Sequence, residues 1–136
     1  MYTRERFNRQ HYYTLAPNPT TDDLETLRSL ERSAIAYTLC YNNQPVATMG
    51  VMYIHGQRWY AWALMGAGAG RHMRAITRTA MACLDMTPPG RVDCAVLADF
   101  AAGHRWVEML GFEVETPLLR LYGANGEDYT GYVRIR

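Results

Sequence analysis

Between a strand-like run and an amphipathic run lies the stretch Met65-Gly66-Ala67-Gly68-Ala69-Gly70-Arg71. Glycines in such a connection let backbone N–H groups come close to a bound anion. The helix that follows adds unpaired donors and a partial positive charge. The chemistry this suits is the holding of a pyrophosphate, with Arg71, Arg74 and Arg78 adding charge from the helix. A tight strand-to-helix turn would use the same glycines, so both readings stand. A dinucleotide fingerprint fits less well. The spacing does not give G-x-G-x-x-G, and no acidic residue ends a strand about 20 residues on.

Proton transfer is harder to place. The strand before the loop, Arg58 to Leu64, reads R-W-Y-A-W-A-L and holds no carboxylate. Tyr60 and His55 are its nearest titratable groups, and a tyrosine titrating near its ordinary value of about 10 is a poor base at neutral pH. Asp99 and His104 join Tyr60 as candidates, although Asp99 also reads as a helix cap and His104 as a solvent-facing side chain. No catalytic residue is fixed by the sequence. Cys40, Cys83 and Cys94 are widely spaced with no C-x-x-C pair, which argues against a disulfide framework and a zinc site and for buried, inert thiols. No metal is expected.

The elements that must position these groups follow from periodicity and punctuation. Residues 1–20 read as an extended lead-in or first strand. Thr20 to Asp23 followed by Leu24, Leu27 and Leu30 predicts a helix from about 22 to 33. Ala34–Tyr41, Val46–Ile54 and Arg58–Leu64 read as an antiparallel meander, with Asn42-Asn43-Gln44-Pro45 and His55-Gly56-Gln57 as its turns. Arg71–Met86 is an amphipathic helix with Met73, Ile76, Ala80, Cys83 and Leu84 on one stripe, ended by Thr87-Pro88-Pro89-Gly90. Val92–Leu97 is a short strand. Asp99 caps a helix from Phe100 to Leu110, which Gly111 closes. Phe112–Glu115, Leu118–Tyr122 and Tyr129–Ile135 are the final strands, with Gly123-Ala124-Asn125-Gly126 as a turn. The expected architecture is α/β (α+β): a largely antiparallel sheet flanked by helices.

A chain of 136 residues, 49% apolar and 20% charged, suits one globular domain over 1–136. Its net charge of +1 gives no global attraction to nucleic acid, and three arginines on one helix face usually make a solvated surface. All 14 basic residues are Arg, so the chain has no lysine of its own to acylate. The longest apolar stretch, from Trp59 to Met65, is too short to span a membrane. The arginine-bearing start does not resemble a signal peptide, so a cytoplasmic location is expected.

Two segments, the strand–glycine loop–helix of Arg58–Met86 and the W-V-E-M-L-G-F helix end at Trp106–Phe112, together resemble the cofactor half of a GNAT (GCN5-related N-acetyltransferase) enzyme. The likeness extends over about Ala34 to the C-terminus and is closest in pattern to small phage-encoded GNAT-like proteins. It implies a GNAT-type mixed sheet and an acyl-CoA-dependent N-acetyltransferase using acetyl-CoA or another acyl-CoA. The pyrophosphate would lie on Met65, Gly66, Ala67, Gly68, Ala69, Gly70 and Arg71, and the pantetheine between the splayed strands Arg58–Leu64 and Val92–Leu97. The acceptor would be an amine, on a small molecule or a host protein. Three polar positions of the family pattern are replaced: Met65 stands for the loop's Gln/Arg, Phe100 for an Asn and Val107 for the proton-donating Tyr. The alternative is therefore a catalytically degenerate phage protein that acts by binding a host or virion protein, located in the host cytoplasm.

The aromatic content bears on that alternative. Tyr37, Tyr41, Tyr53, Trp59 and Trp62 read first as sheet core and second as a groove or binding face. Tyr12-Tyr13 and Tyr129/Tyr132 look exposed and are interface candidates. The last strand, offering a free edge, makes a homodimer an expectation.

Overall fold

The computed structural model describes residues 1–16 and 27–136. Among them, seven strands hydrogen-bond in the order β1-β2-β3-β4-β5-β7-β6. They are β1 (Tyr2–Arg6), β2 (Ile35–Tyr41), β3 (Gln44–His55), β4 (Arg58–Met65), β5 (Arg91–Leu97), β6 (Glu113–Leu119) and β7 (Tyr129–Ile135). The helices are α1 (Arg9–Leu15), α2 (Met73–Met86) and α3 (Ala101–Met109), with a 3-10 turn at Ala69–His72 before α2. The expected mixed, largely antiparallel sheet with flanking helices is what forms, with β4–β5 a parallel pair. The chain divides into two compact units, residues 1–53 with 61–88 and residues 54–60 with 89–136.

In the first unit, β1 is the expected first strand, and α1 stands at Arg9–Leu15, where the sequence reading has no helix. Asn8, in extended backbone, accepts from the His11 amide, and the His11 ring accepts from the Asn8 amide. This reciprocal cap uses Asn and His rather than the Ser/Thr and Glu of the familiar pattern, which is why local sequence rules passed over it. The helix turns His11 and Tyr12 inward and leaves Tyr13 half-buried, so the Tyr12-Tyr13 pair is not an exposed interface. Of the helix expected at about 22–33, residues 22–26 lie outside the described residues and 27–31 are helical. β2 and β3 are joined by Asn42 and Asn43 alone, both at positive φ (49° and 66°), the two-residue turn that matches strand twist. Gln44 and Pro45 already belong to β3. The predicted apolar stripe of α2 is buried at Ile76, Ala80, Cys83 and Leu84. Buried hydroxyls are satisfied in a cluster, with Thr38 Oγ1 2.7 Å from His11 Nδ1 and 3.2 Å from Thr48 Oγ1, and Thr48 donating to the Tyr37 carbonyl (3.3 Å).

In the second unit, β6 is one strand where two were expected, with register irregularities on either side of Thr116. Pro117 removes a ladder donor there, as it does at strand edges. β7 lies between β5 and β6 and pairs with both. It offers no free edge, and Tyr132 is 3% exposed. The dimer and the Tyr129/Tyr132 interface therefore lose the features that suggested them. Gly111 stands at φ 95° after α3, the left-handed stop read from the sequence.

Candidate functional site

The glycine loop begins where β4 meets solvent. The Gly66 amide donates to the Val46 carbonyl (2.8 Å), and the Ala69 amide closes a turn onto the Gly66 carbonyl (3.1 Å). The three glycines are not equivalent. A Cβ on Gly66 would stand 2.8 Å from both Leu15 Cδ2 and the Val46 carbonyl oxygen, so packing alone demands glycine there. A Cβ on Gly68 would meet only the Arg71 Nη2, at 3.6 Å, and one on Gly70 would meet nothing within 4 Å. Neither stands at positive φ. Neither the fold's backbone nor its packing requires glycine at these two positions.

The surroundings suit an anion. Among the described residues, the amides of Ala67 and Gly68 make no loop or cap hydrogen bond. α2 has no side-chain cap and no acidic residue in its first turn. Arg71, Arg74 and Arg78 are exposed without a carboxylate partner among the described residues. The residues present therefore fit a pyrophosphate held by backbone amides and loose guanidinium groups.

Solved structures share this fold. The Escherichia coli ribosomal-protein-S18-alanine N-acetyltransferase matches with TM-score 0.69 at 17% identity, over 99% of this chain and 94% of that one. A Bacillus subtilis acetyltransferase in complex with CoA matches with TM-score 0.68 at 10% identity, over 99% and 97%. An acetyltransferase of the GNAT family from Staphylococcus aureus Mu50 gives 0.68 at 13% identity, over 99% of each chain. The fold is that of the GNAT acetyltransferases. No protein-family model and no curated protein matches the sequence.

On this GNAT fold the proton-transfer candidates fare poorly. Asp99 is exposed and does not cap α3; Phe100 occupies the cap position, with no side-chain cap bond. The preceding turn is closed instead by backbone, the Phe100 amide donating to the Leu97 carbonyl (2.9 Å). His104 is half-buried rather than solvent-facing. Its Nε2 lies 2.9 Å from the Ala98 carbonyl and its Nδ1 2.7 Å from the Tyr132 hydroxyl. A carbonyl only accepts, so Nε2 carries the proton and the neutral ring's Nδ1 accepts from Tyr132. With both nitrogens engaged, His104 ties α3 to β7 and to Ala98, just past the end of β5. Tyr60 ends the β4–β5 ladder opposite Asp93. Burial first, then the neighbouring Tyr122 and Cys94, push its phenol well above the ordinary range, which makes it a poorer base still. Val107 is buried and Phe100 is 54% exposed.

The thiols behave as expected. Cys40 and Cys83 are buried and Cys94 half-buried, all three free. Burial is the main cause that pushes Cys40 and Cys83 up to about 11 and Cys94 to about 12, so none is a ready nucleophile. Among the described residues there is no group of three or more metal-ligating side chains, and no helix is long and apolar enough to cross a membrane.

Of the aromatics, Tyr41 and Tyr53 are exposed, while Tyr37, Trp59 and Trp62 are half-buried. Trp62 packs edge-on against Phe7, centroids 5.3 Å apart, and donates to Ser33 Oγ (3.1 Å), as a core residue does. Sequence reasoning missed one grouping. Tyr2, Tyr41 and His72 gather beside the loop, their rings 4.9 to 5.5 Å apart. No local spacing signals it, because antiparallel pairing of β1 with β2 brings Tyr2 opposite Tyr41.

Proposed function

We propose that this protein transfers an acyl group from an acyl-CoA, acetyl-CoA being the simplest, to an amine acceptor. The loop from Met65 to Arg71 would hold the pyrophosphate. The observation that carries this is the openness above Gly68 and Gly70, beside Arg71 and Arg74, which meet no carboxylate among the described residues. The GNAT fold, which the solved neighbours also have, one of them in complex with CoA, supports the same reading. When bound, such a cofactor supplies an acyl group already activated as a thioester. The chain's own part is then binding and orientation, which alone account for much of the acceleration in such transfers. No carboxylate stands on β4, Val107 cannot donate a proton and His104 is engaged, so none of these positions serves the proton transfer.

A melt of the purified protein across an acetyl-CoA titration tests this. A ligand that binds only the folded state stabilises it by roughly 2.7 kcal/mol at a hundredfold excess over Kd. The expected shift is saturable and disappears in Gly70→Trp, whose indole would fill the open ground without touching the core. No shift at millimolar ligand would reject the reading.

A second reading draws on Met65, Phe100 and Val107, which together remove the polar positions of the family pattern. In it the protein is a degenerate, phage-encoded binder of a host or virion protein, acting in the host cytoplasm. Turnover of acetyl-CoA with any amine in a broad panel would exclude it.

A further inference from the structure

Helix α1 meets the glycine loop at its end and a buried histidine in its first turn. Leu15, its last residue, packs so closely on Gly66 that a Cβ there would stand 2.8 Å from Leu15 Cδ2. His11, only 8% exposed, is the N3 residue of the cap that starts the helix. Its Nδ1 lies 3.3 Å from the Asn8 amide and 2.7 Å from Thr38 Oγ1, and its Nε2 lies 3.3 Å from Glu5 Oε2. A backbone amide only donates, so Nδ1 accepts in the neutral ring and Nε2 carries the proton toward Glu5. Asn8 Nδ2, 3.4 Å from Nε2, is then a neighbour without a bond.

A second proton on this ring would undo the cap and spare the rest of the cluster. Protonated Nδ1 becomes a donor. Thr38 can accept from it, turning its own hydrogen to Thr48 Oγ1 at 3.2 Å, while Thr48 keeps the Tyr37 carbonyl at 3.3 Å. The Asn8 amide has no such alternative and faces a donor across 3.3 Å. The charged groups around the ring do not replace the lost bond. Glu5 of β1, whose carboxylate also accepts from the Cys40 thiol of β2 at 3.5 Å, stands on the other side, at Nε2. Thr38 of β2 and, behind it, Thr48 of β3 are uncharged, and Arg9 of α1 is paired with Glu31. A helix of seven residues has little stability of its own, so it depends on such a cap.

We infer that His11 is a positioning residue for the glycine loop: its unprotonated Nδ1 holds α1, α1 holds Leu15 against Gly66, and protonation of the ring releases both. The inference rests on the reading of this loop as the pyrophosphate site and adds a proton-controlled support beneath it. Acidification from about pH 8 to pH 5, the range in which histidines take up a proton, then loosens the loop and weakens cofactor binding.

Amide hydrogen exchange of the full chain without ligand, at pH 8 and pH 5.5 and corrected for the intrinsic rate, follows α1 and the loop separately. Both should lose protection together at pH 5.5, by about fivefold, the equilibrium equivalent of one lost cap. In His11→Gln, which carries the usual capping-box partner and does not titrate, both should stay protected at either pH. In His11→Leu both should be open at either pH. In Leu15→Ala the helix should still respond to pH and the loop should not. Titration with coenzyme A should show a similar loss of affinity, about fivefold, at pH 5.5 relative to His11→Gln. Any part played by His72, beside the loop, or by the ligand's own phosphates is common to both forms and cancels. Equal pH responses of wild type and His11→Gln, or a loop that stays protected when α1 opens, would overturn the inference and leave the loop reading standing. Absence of coenzyme A binding by every form at pH 8 would overturn the loop reading alone, since the exchange experiment does not depend on it.

Discussion

Two sets of arginines in this protein are used in opposite ways. Arg58 and Arg91, in the second unit, both donate to the carboxylate of Asp93 (2.6 and 2.7 Å), and Arg91 also pairs with Glu115. Arg71, Arg74 and Arg78, in the first unit, have no carboxylate among the described residues. The same division runs through the other polar groups. His104 and Tyr132 satisfy one another, whereas among the described residues the amides of Ala67 and Gly68 make no loop or cap hydrogen bond. The Asp93 cluster has closed its charges on itself, whereas the arginine face of α2 meets no carboxylate among the described residues; elsewhere in the first unit Arg9 pairs with Glu31. Compensation, rather than residue type, distinguishes a structural charge from one available to a ligand.

The comparison breaks most readily at the glycines. Gly66→Val would drive a side chain into Leu15 and the Val46 carbonyl and should cost about 3 kcal/mol by denaturant unfolding, at the upper end for overpacking. Gly70→Ala should stay within about 0.5 kcal/mol of wild type in the same assay. Equal costs would mean that the open ground is not open.

In the closed region, Tyr132→Phe removes the donor that His104 Nδ1 accepts from. It should cost about 1 kcal/mol by leaving a half-buried acceptor unpaired. A neutral effect would mean that water takes over, and that the strut is not closed. Asp93→Asn removes the carboxylate shared by two arginines. Because both arginines are partly exposed, about 1 kcal/mol is expected. Arg78→Gln, with no carboxylate partner among the described residues, should change stability by less than about 0.5 kcal/mol.

The smallest effect is a slope with pH. The Cys94 thiol is pushed from 9.0 up to about 12, and those of Cys40 and Cys83 up to about 11. These acids stay protonated in the folded state while the unfolded chain loses its protons first. Their stabilising contribution is therefore whole below pH about 9 and fades as pH rises toward 11 to 12. Chemical unfolding at pH 8 and pH 10 should show lower stability at the higher pH, less so in Cys94→Ala. A flat profile would show that the thiols open to water more freely than their burial implies.

Much of the fold was legible in the sequence because it is written locally. The meander turns, the α2 stripe and the Gly111 stop depend on residues a few positions apart, where periodicity and φ preference act. Helix α1 was missed because its cap uses an unfamiliar pair, Asn8 and His11. β6 was read as two strands because Pro117 resembles a break, although in an edge strand it only removes one donor. At the site, the loop was found by its glycines, but nothing in the pattern G-A-G-A-G says which glycine is needed for packing. That depends on Leu15, 51 positions away from Gly66 in the chain.

The sequence by itself determined the fold class, the glycine loop and its arginine-bearing helix, since each follows from spacing within one element or one turn. Tertiary structure alone decided which polar groups are spent and which are free. It tied His104 to Tyr132, placed β7 away from any edge, and set Tyr2 against Tyr41 beside His72. The physical reason is that hydrogen bonds, ion pairs and ring contacts act over a few ångströms of space, and strand register and packing bring distant residues within that range.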